Sequence, residues 1–258
     1  MLTLTIANQK GGTGKSTLAV LIAQGESLRG KKTLLIDLDS QGDSTFTLSP
    51  QSKPVKTTFD LLTDESTASK QTVESITDNL NLDLMPASKR LSQLDIILAG
   101  RIDAQFILKE KLEQLGNEYD LVVIDTSPAL NYATQNALTA SDYVLIPVQA
   151  DVFSLKGLGA LNAIIKAIQK RSNPQLKTAG IVINRFNPRT NYSKAIKGML
   201  DNTAKEFDSH VFTNTIRDAV AIREAFAGFE PLFEYDPKGN ATADVDAVLN
   251  ELEKEIGL

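Results

Sequence analysis

Nine residues, Gln9-Lys10-Gly11-Gly12-Thr13-Gly14-Lys15-Ser16-Thr17, constrain the fold of this chain more than any other stretch. They follow an alternating apolar segment, Leu2-Thr3-Leu4-Thr5-Ile6-Ala7, and precede Leu18, Leu21, Ile22, Gly25 and Leu28 at helical spacing. A strand that passes through a glycine loop into a helix turns backbone N–H groups toward a phosphate, and the helix N-terminus adds partial positive charge. In such a loop Lys15 reaches the outer phosphates and Ser16 offers its hydroxyl to Mg²⁺. The usual spacing G-x-x-x-x-G-K-[ST] fails at one position, because Gln9 stands five residues before Gly14. A second lysine, Lys10, sits at the mouth of the loop.

The rest of the chain repeats the strand-then-helix pattern. Buried parallel strands are expected at 32–37, 119–125, 143–148 and 178–184, each a short apolar run bounded by polar residues. Residues 80–86 alternate like a further strand. Helical spacing marks 131–140, 154–171, 191–206, 218–227 and 241–256, a short helix at 57–62 and a long helical stretch from 90 to 115. Residues 49–57 read as a surface excursion, 63–79 as polar and weakly patterned, and Val211 and Phe212 as a short strand. Strands alternating with helices predict an α/β fold with one doubly wound, mostly parallel sheet. No repeat or Gly/Pro-rich linker divides it, so residues 1–258 are expected to form a single domain.

Two of these strands end in aspartate. Asp37, with Asp39 just beyond, and Asp125 are placed where ligands of open parallel sheets bind. A nucleotide-bound Mg²⁺ needs one or two such carboxylates, often through water. Phosphoryl transfer through a loose transition state needs positioning and charge more than covalent chemistry. Loop and aspartates together predict ATP or GTP binding.

Composition removes other classes. The chain has no cysteine and one histidine, His210, which excludes disulfides, thiolate metal sites and iron–sulfur clusters and argues against a Ser-His-Asp triad. No run of about 18 apolar residues is present to cross a membrane, and the N-terminus enters a strand without a basic leader, so the cytoplasm is expected. The net charge is −5, but it is unevenly spread. Between Val152 and Leu200 there is no Asp or Glu, and nine cations fall there: Lys156, Lys166, Lys170, Arg171, Lys177, Arg185, Arg189, Lys194 and Lys197. A basic sector on an acidic body is the footprint of a polyanion partner.

Lys10-Gly11-Gly12-Thr13-Gly14-Lys15-Ser16-Thr17 resembles the deviant Walker A box, [KR]-G-G-x-G-K-[ST], of ParA/MinD-type ATPases. Asp37-Leu38-Asp39-Ser40-Gln41-Gly42-Asp43-Ser44-Thr45 is similar to that family's D-x-D-P-Q-G-N-x-T, with Ser40 at the usual proline. Asp125-Thr126-Ser127-Pro128 is similar to its Walker B D-T-P-P, with Ser127 at a usual proline. Pro147-Val148-Gln149-Ala150-Asp151, followed by Leu155, Gly157 and Leu158, resembles P-V-Q-x-[ED]…L-x-G-[LM]. The resemblance extends from residue 1 to about 240 and implies an ATP-sandwich homodimer using ATP and Mg²⁺. It implies that Gly11, Gly12, Thr13, Gly14, Lys15, Ser16 and Thr17 hold the phosphates. It further implies that Lys10 contacts the partner subunit's nucleotide, Asp39 positions the attacking water, and Ser16, Asp37 and Asp125 order the metal. By the same carry-over Asn184 reads the adenine edge, and Asp236 and Pro237 line the base.

Within this superfamily, cysteine-dependent members are excluded by composition. A MinD-like membrane helix is disfavoured by five acids against one lysine in residues 241–258, so the stripe Val245, Val248, Leu249, Leu252 and Ile256 is expected to pack on the core. The resemblance that remains is to ParA in its short form, without an N-terminal helix-turn-helix domain. It implies a slow, partner-stimulated ATPase that is nucleoid-associated in the cytoplasm, does not bind membrane, and partitions plasmid or chromosomal DNA. The dimer binds DNA non-specifically and an adaptor or centromere-binding protein of ParB type releases it. Arg189 matches a family arginine; Lys194, Lys197, Arg217 and Arg223 are further candidate DNA contacts. One alternative is the same ATPase positioning a protein cargo such as a receptor array or microcompartment. Another is an ATP-dependent small-molecule ligase of the dethiobiotin-synthetase type.

Overall fold

The computed structural model describes the chain except residues 52, 77–79 and 188–190 and the side chains of 152, 153, 155, 156 and 191–194. In chain order the first half contains β1 (Leu2–Ile6), α1 (Lys15–Leu28), β2 (Thr33–Leu38), α2 (Asp43–Leu48), α3 (Thr58–Thr63), β3 (Glu74–Ser75), β4 (Leu82–Met85), α4 (Leu94–Ile97) and α5 (Ile107–Glu113). The second half contains β5 (Leu121–Thr126), α6 (Tyr132–Ala140), β6 (Tyr143–Gln149), α7 (Val152–Arg171), β7 (Lys177–Asn184), α8 (Asn191–Glu206), α9 (Val220–Ala227), α10 (Leu232–Tyr235) and α11 (Asn240–Ile256).

The strands form one sheet in the order β3-β4-β2-β5-β1-β6-β7. All neighbours are parallel except the two-residue edge strand β3, which runs antiparallel to β4. This is the doubly wound sheet that the sequence predicts. Every residue of β2 and β5 is buried, because alternate side chains enter cores on opposite faces. Leu35 and Val123 pack toward α1 and α11, while Leu34, Ile36, Val122 and Ile124 pack toward α3, α5 and α6. A third cluster joins β6 and β7 to α7 and α8. Burying one such aliphatic side chain contributes about 1.5–3 kcal/mol.

The acidic helix α11 packs on the core: Val245, Val248, Leu249, Leu252 and Ile256 are all buried. Its approach to α1 depends on Gly25, where a Cβ would lie 2.3 Å from Leu249 and 2.9 Å from Phe233. At that junction Arg29 bonds Asp246 at 2.5 Å and Glu253 at 3.0 Å, and lies 3.5 Å from the fully buried Glu26.

Two expectations need correction. The helical spacing across residues 90–115 does not make a continuous helix. A 3-10 turn at Lys89–Gln93 leads into the single turn of α4, and the chain then reverses through Gly100 (φ +83°) before α5. A left-handed residue ends a helix, and Arg101 folds back onto Asp103 with bonds of 2.7 and 2.9 Å. The apolar rhythm therefore breaks, leaving Ile96 and Ile102 exposed. The strand expected at Val211 and Phe212 is reduced to a bridge from Val211 to Ile181, although the chain continues along the edge of β7, where Ile216 N–H donates to Ile183 O at 3.0 Å.

Candidate nucleotide site

The phosphate loop lies at the carboxyl ends of the strands, between β1 and α1. Gly14 caps α1 in the left-handed conformation (φ 87°), and a Cβ there would lie 2.1 Å from Asn184 Nδ2. Backbone geometry and space thus both require glycine. The loop is braced from β6 and β7. Asn184 Nδ2 donates to Thr13 O (3.2 Å), Gln149 Nε2 donates to Gly12 O (2.6 Å), and Asn8 links Pro147 O to Lys10 N–H (2.7 and 3.0 Å). Asn184 Oδ1 accepts from Arg185 N–H, so its amide is engaged on both sides.

In front of the loop lies a cavity of about 340 Å³ lined by Gly11, Gly12, Gly14, Lys15, Ser16, Thr17, Asp39, Gln41, Asp43, Pro128 and Arg185. A smaller cavity of about 60 Å³ adjoins it, sharing Thr17 and Arg185 and bounded by Asn184, Arg217, Arg223 and Phe226. Lys15 is buried, and its amine is held below the ordinary lysine value by desolvation, against the pull of Asp125 and Asp39. An amine and carboxylates that are buried together interact more strongly than they would at the surface.

Asp37 and Asp125 are fully buried and pair in register across β2 and β5. Both carboxyls are pushed up. Burial is the main cause at Asp37, reinforced by the charge of Asp125. Burial also leads at Asp125, where the hydrogen bond from Ser44 and the nearby Ser16 hydroxyl pull the other way. Their oxygens are used differently. Asp37 accepts from Asp39 N–H (3.0 Å), Thr45 N–H (2.9 Å) and the Thr45 hydroxyl (2.7 Å), which anchors the loop between β2 and α2. Asp125 takes the Ser44 hydroxyl on Oδ2 (2.7 Å), while its Oδ1 is buried without a partner. An orphaned carboxylate oxygen beside the Ser16 hydroxyl suits a hard, oxygen-seeking cation. Among the described residues no three His, Cys, Asp or Glu side chains form a metal cage of their own.

Lys10 points away from this cavity. Its Nζ donates to Asp151 Oδ2 at 2.6 Å and lies 3.4 Å from the Ser154 hydroxyl. Asp151 Oδ1 accepts from Ser154 N–H and so caps α7. Burial alone would raise the Asp151 carboxyl; hydrogen bonds from Lys10 and Ser154 hold it below its ordinary value.

The remaining sequence candidates are more scattered. Asp236 and Pro237 follow α10 and line neither cavity; Asp236 O accepts from the Thr242 hydroxyl instead. Arg189 lies outside the described residues, and the side chain of Lys194 in α8 does likewise. Lys197 Nζ lies 3.4 Å from Thr213 O. Arg217 is held bidentately by Asp244 (2.5 and 2.8 Å), and Arg223 bonds Asp218 at 2.7 Å. Both arginines flank the smaller cavity with their charge already matched. The acid-free sector does form one region, because α7 and α8 pack together over β6 and β7. Lys170, Arg171 and Lys177 are exposed there, while Lys166 is paired with Asp208. Sequence reading missed Gln149, Arg185 and Ser44 as site residues. Gln149 lies within Pro147–Asp151 and Ser44 within Asp37–Thr45, and Arg185 adjoins Asn184, so adjacency is the signal the sequence offers for them.

Comparison with known proteins gives concordant matches. The AAA domain family model matches residues 1–178. Sporulation initiation inhibitor protein Soj of Bacillus subtilis is 34% identical over 98% of this chain and 97% of its own length. Chromosome partitioning protein ParA of Myxococcus xanthus is 31% identical over 97% of this chain and 87% of its own. Among solved structures, a putative plasmid partition protein of Borrelia burgdorferi bound to AMPPNP superposes with TM-score 0.83 at 27% identity, covering 99% of each chain. Cobyrinic acid a,c-diamide synthase of Mycobacterium smegmatis with bound ADP and magnesium gives 0.77 at 28% identity, covering 93% of this chain and 97% of that one. No helix among the described residues is long and apolar enough to cross a membrane.

Proposed function

The chain belongs to the ParA family of P-loop ATPases, and from that premise we propose that it is a DNA-partitioning ATPase acting as a nucleotide-dependent homodimer. The observation that carries this reading is the pair of lysines on one loop: Lys15 buried against the phosphate cavity and Lys10 directed away from it, onto Asp151.

The residues divide the work as follows. Backbone N–H groups from Gly11 to Thr17 cradle the phosphates of ATP, and Lys15 neutralises the outer ones. Thr17 contacts an inner phosphate, and the second N–H of Asn184 is available to the base. Ser16 and the free oxygen of Asp125 would hold Mg²⁺. When bound, the cation neutralises charge developing on the phosphate oxygens. Asp39, at the cavity wall, orients the attacking water. Asp37 acts indirectly, since its oxygens fix the Asp39–Thr45 loop. Lys10 crosses a two-fold interface to the partner's nucleotide, so that ATP binding and pairing become one event. The single domain of residues 1–258 then presents the α7–β7–α8 sector to DNA phosphates on the nucleoid. A ParB-type adaptor stimulates slow hydrolysis and releases it.

DNA retention measured with ATP, ADP and no nucleotide tests this. Salt-sensitive retention with ATP alone, abolished by Lys15→Ala, is expected; retention indifferent to nucleotide overturns it. A ligase reading has one observation in its favour, the match to cobyrinic acid a,c-diamide synthase. Fast ATP turnover dependent on a small acid and an amine donor, without DNA retention, would establish it. Positioning of a protein cargo shares every residue role above and differs only in the adaptor.

A further inference from the structure

We propose that Asp151 is a positioning residue that holds Lys10 on its own subunit, so that two copies pair over nucleotide only after this ion pair is broken. The proposal rests on the reading of Lys10 as a contact to the partner's nucleotide. The pair joins positions 141 residues apart in the chain. It forms because α7 starts directly against the phosphate loop: a Cβ on Gly157 would lie 3.9 Å from Lys10 N and 4.0 Å from Lys10 Cβ, ordinary contact distances. The Lys10 backbone is fixed by Asn8 and the loop by Gln149. Its side chain, with a flexible four-carbon stem, can therefore swing without rebuilding the loop.

The two oxygens of Asp151 have separate duties. Oδ1 caps α7 through Ser154 N–H (2.9 Å), and Oδ2 holds Lys10 (2.6 Å). A variant can thus remove the second duty and keep the first, since Asn and Ser cap helices about as well as Asp. Both side chains are about a quarter exposed (28% and 24%), so solvent screens the pair substantially. A factor of about 3–5 in equilibrium per pair is the appropriate scale. A symmetric dimer breaks two such pairs, so their product, about tenfold or more, bears on the dimer constant.

The test is sedimentation velocity of the full chain with AMPPNP and Mg²⁺, comparing wild type, Asp151→Asn, Asp151→Ser, Lys10→Ala and the Lys10→Ala/Asp151→Asn double variant. Both Asp151 variants are expected to lower the dimer dissociation constant about tenfold. Nucleotide affinity of the dilute monomer should stay unchanged, and the Lys10→Ala chains should remain monomeric. A dissociation constant unchanged or raised in the Asp151 variants, with wild-type melting, overturns the latch. Dimerisation of Lys10→Ala at the wild-type constant overturns instead the reading of Lys10 on which the latch depends.

Discussion

Asp37 and Asp125 face one another across adjacent strands, both wholly buried, and Lys15 of the phosphate loop, itself desolvated, is drawn to Asp125. Burial, reinforced at Asp37 by the charge of Asp125, disfavours the ionised form of both carboxyls, a cost that a bound divalent cation would relieve. Asp125→Asn keeps an acceptor for Ser44 and removes one charge. It is expected to stabilise the nucleotide-free protein by roughly 1–3 kcal/mol while abolishing ATP hydrolysis. Thermal melts beside phosphate-release assays check this; a variant that loses both stability and activity contradicts it.

Removing the metal gives a companion prediction. ATP with Mg²⁺ is expected to raise the melting temperature well beyond ATP with EDTA, because the free nucleotide brings more negative charge toward two raised carboxyls. Equal shifts under both conditions would show that the carboxylates do not sense the metal.

The α1–α11 junction predicts a pH dependence with a definite sign. Burial, the nearby Glu253 and a hydrogen bond with it raise Glu26 to about 7, against the pull of Arg29 and Lys31. A carboxyl whose folded value is raised stabilises the fold at acid pH and loses that contribution as pH climbs through the folded value. Glu26→Gln should therefore melt like wild type near pH 5 and above it at pH 8, by roughly 1–2 kcal/mol or a few degrees. A constant gap across pH 5–8 would rule out titration of Glu26.

At Gly14, backbone strain and a clash with Asn184 can be separated. Gly14→Ala is expected to destabilise by about 2–4 kcal/mol and to eliminate nucleotide binding. Adding Asn184→Ala should recover the clash but not the cost of φ 87°. Full recovery in the double variant would show that the left-handed conformation is not a constraint.

Charge already neutralised adds little to DNA binding. Since Asp244 holds Arg217, Arg217→Ala should leave the salt dependence of ATP-dependent DNA retention nearly unchanged. Arg189→Ala should reduce the log–log salt slope by about 1. The opposite ranking would move the DNA surface toward α9.

The parts of this molecule that the sequence discloses are those whose chemistry is local. The glycine loop sits between its own strand and helix, Asp37 and Asp125 terminate apolar runs, and the stripe of α11 repeats at helical spacing. What it conceals is set by tertiary contact. Nothing near Lys10 announces Asp151, and nothing near Arg217 announces Asp244. Asp37 and Asp125 look equivalent as strand-terminal carboxylates, yet three donors occupy one and leave an oxygen of the other free. Residues 90–115 mislead for a different reason: apolar spacing carries no information about a left-handed glycine in its midst.

The placement of β1 at the middle of the sheet bears on how the chain comes to be folded at all. Its hydrogen-bonding neighbours are β5 and β6, so Leu2 meets Leu121 and Leu4 meets Tyr143. On a ribosome, β1 stays unpaired until well over a hundred further residues have emerged. Pairings of such long sequence separation slow folding and leave apolar edges open meanwhile. The phosphate loop, which leaves β1 directly, would thus be among the later parts to take shape.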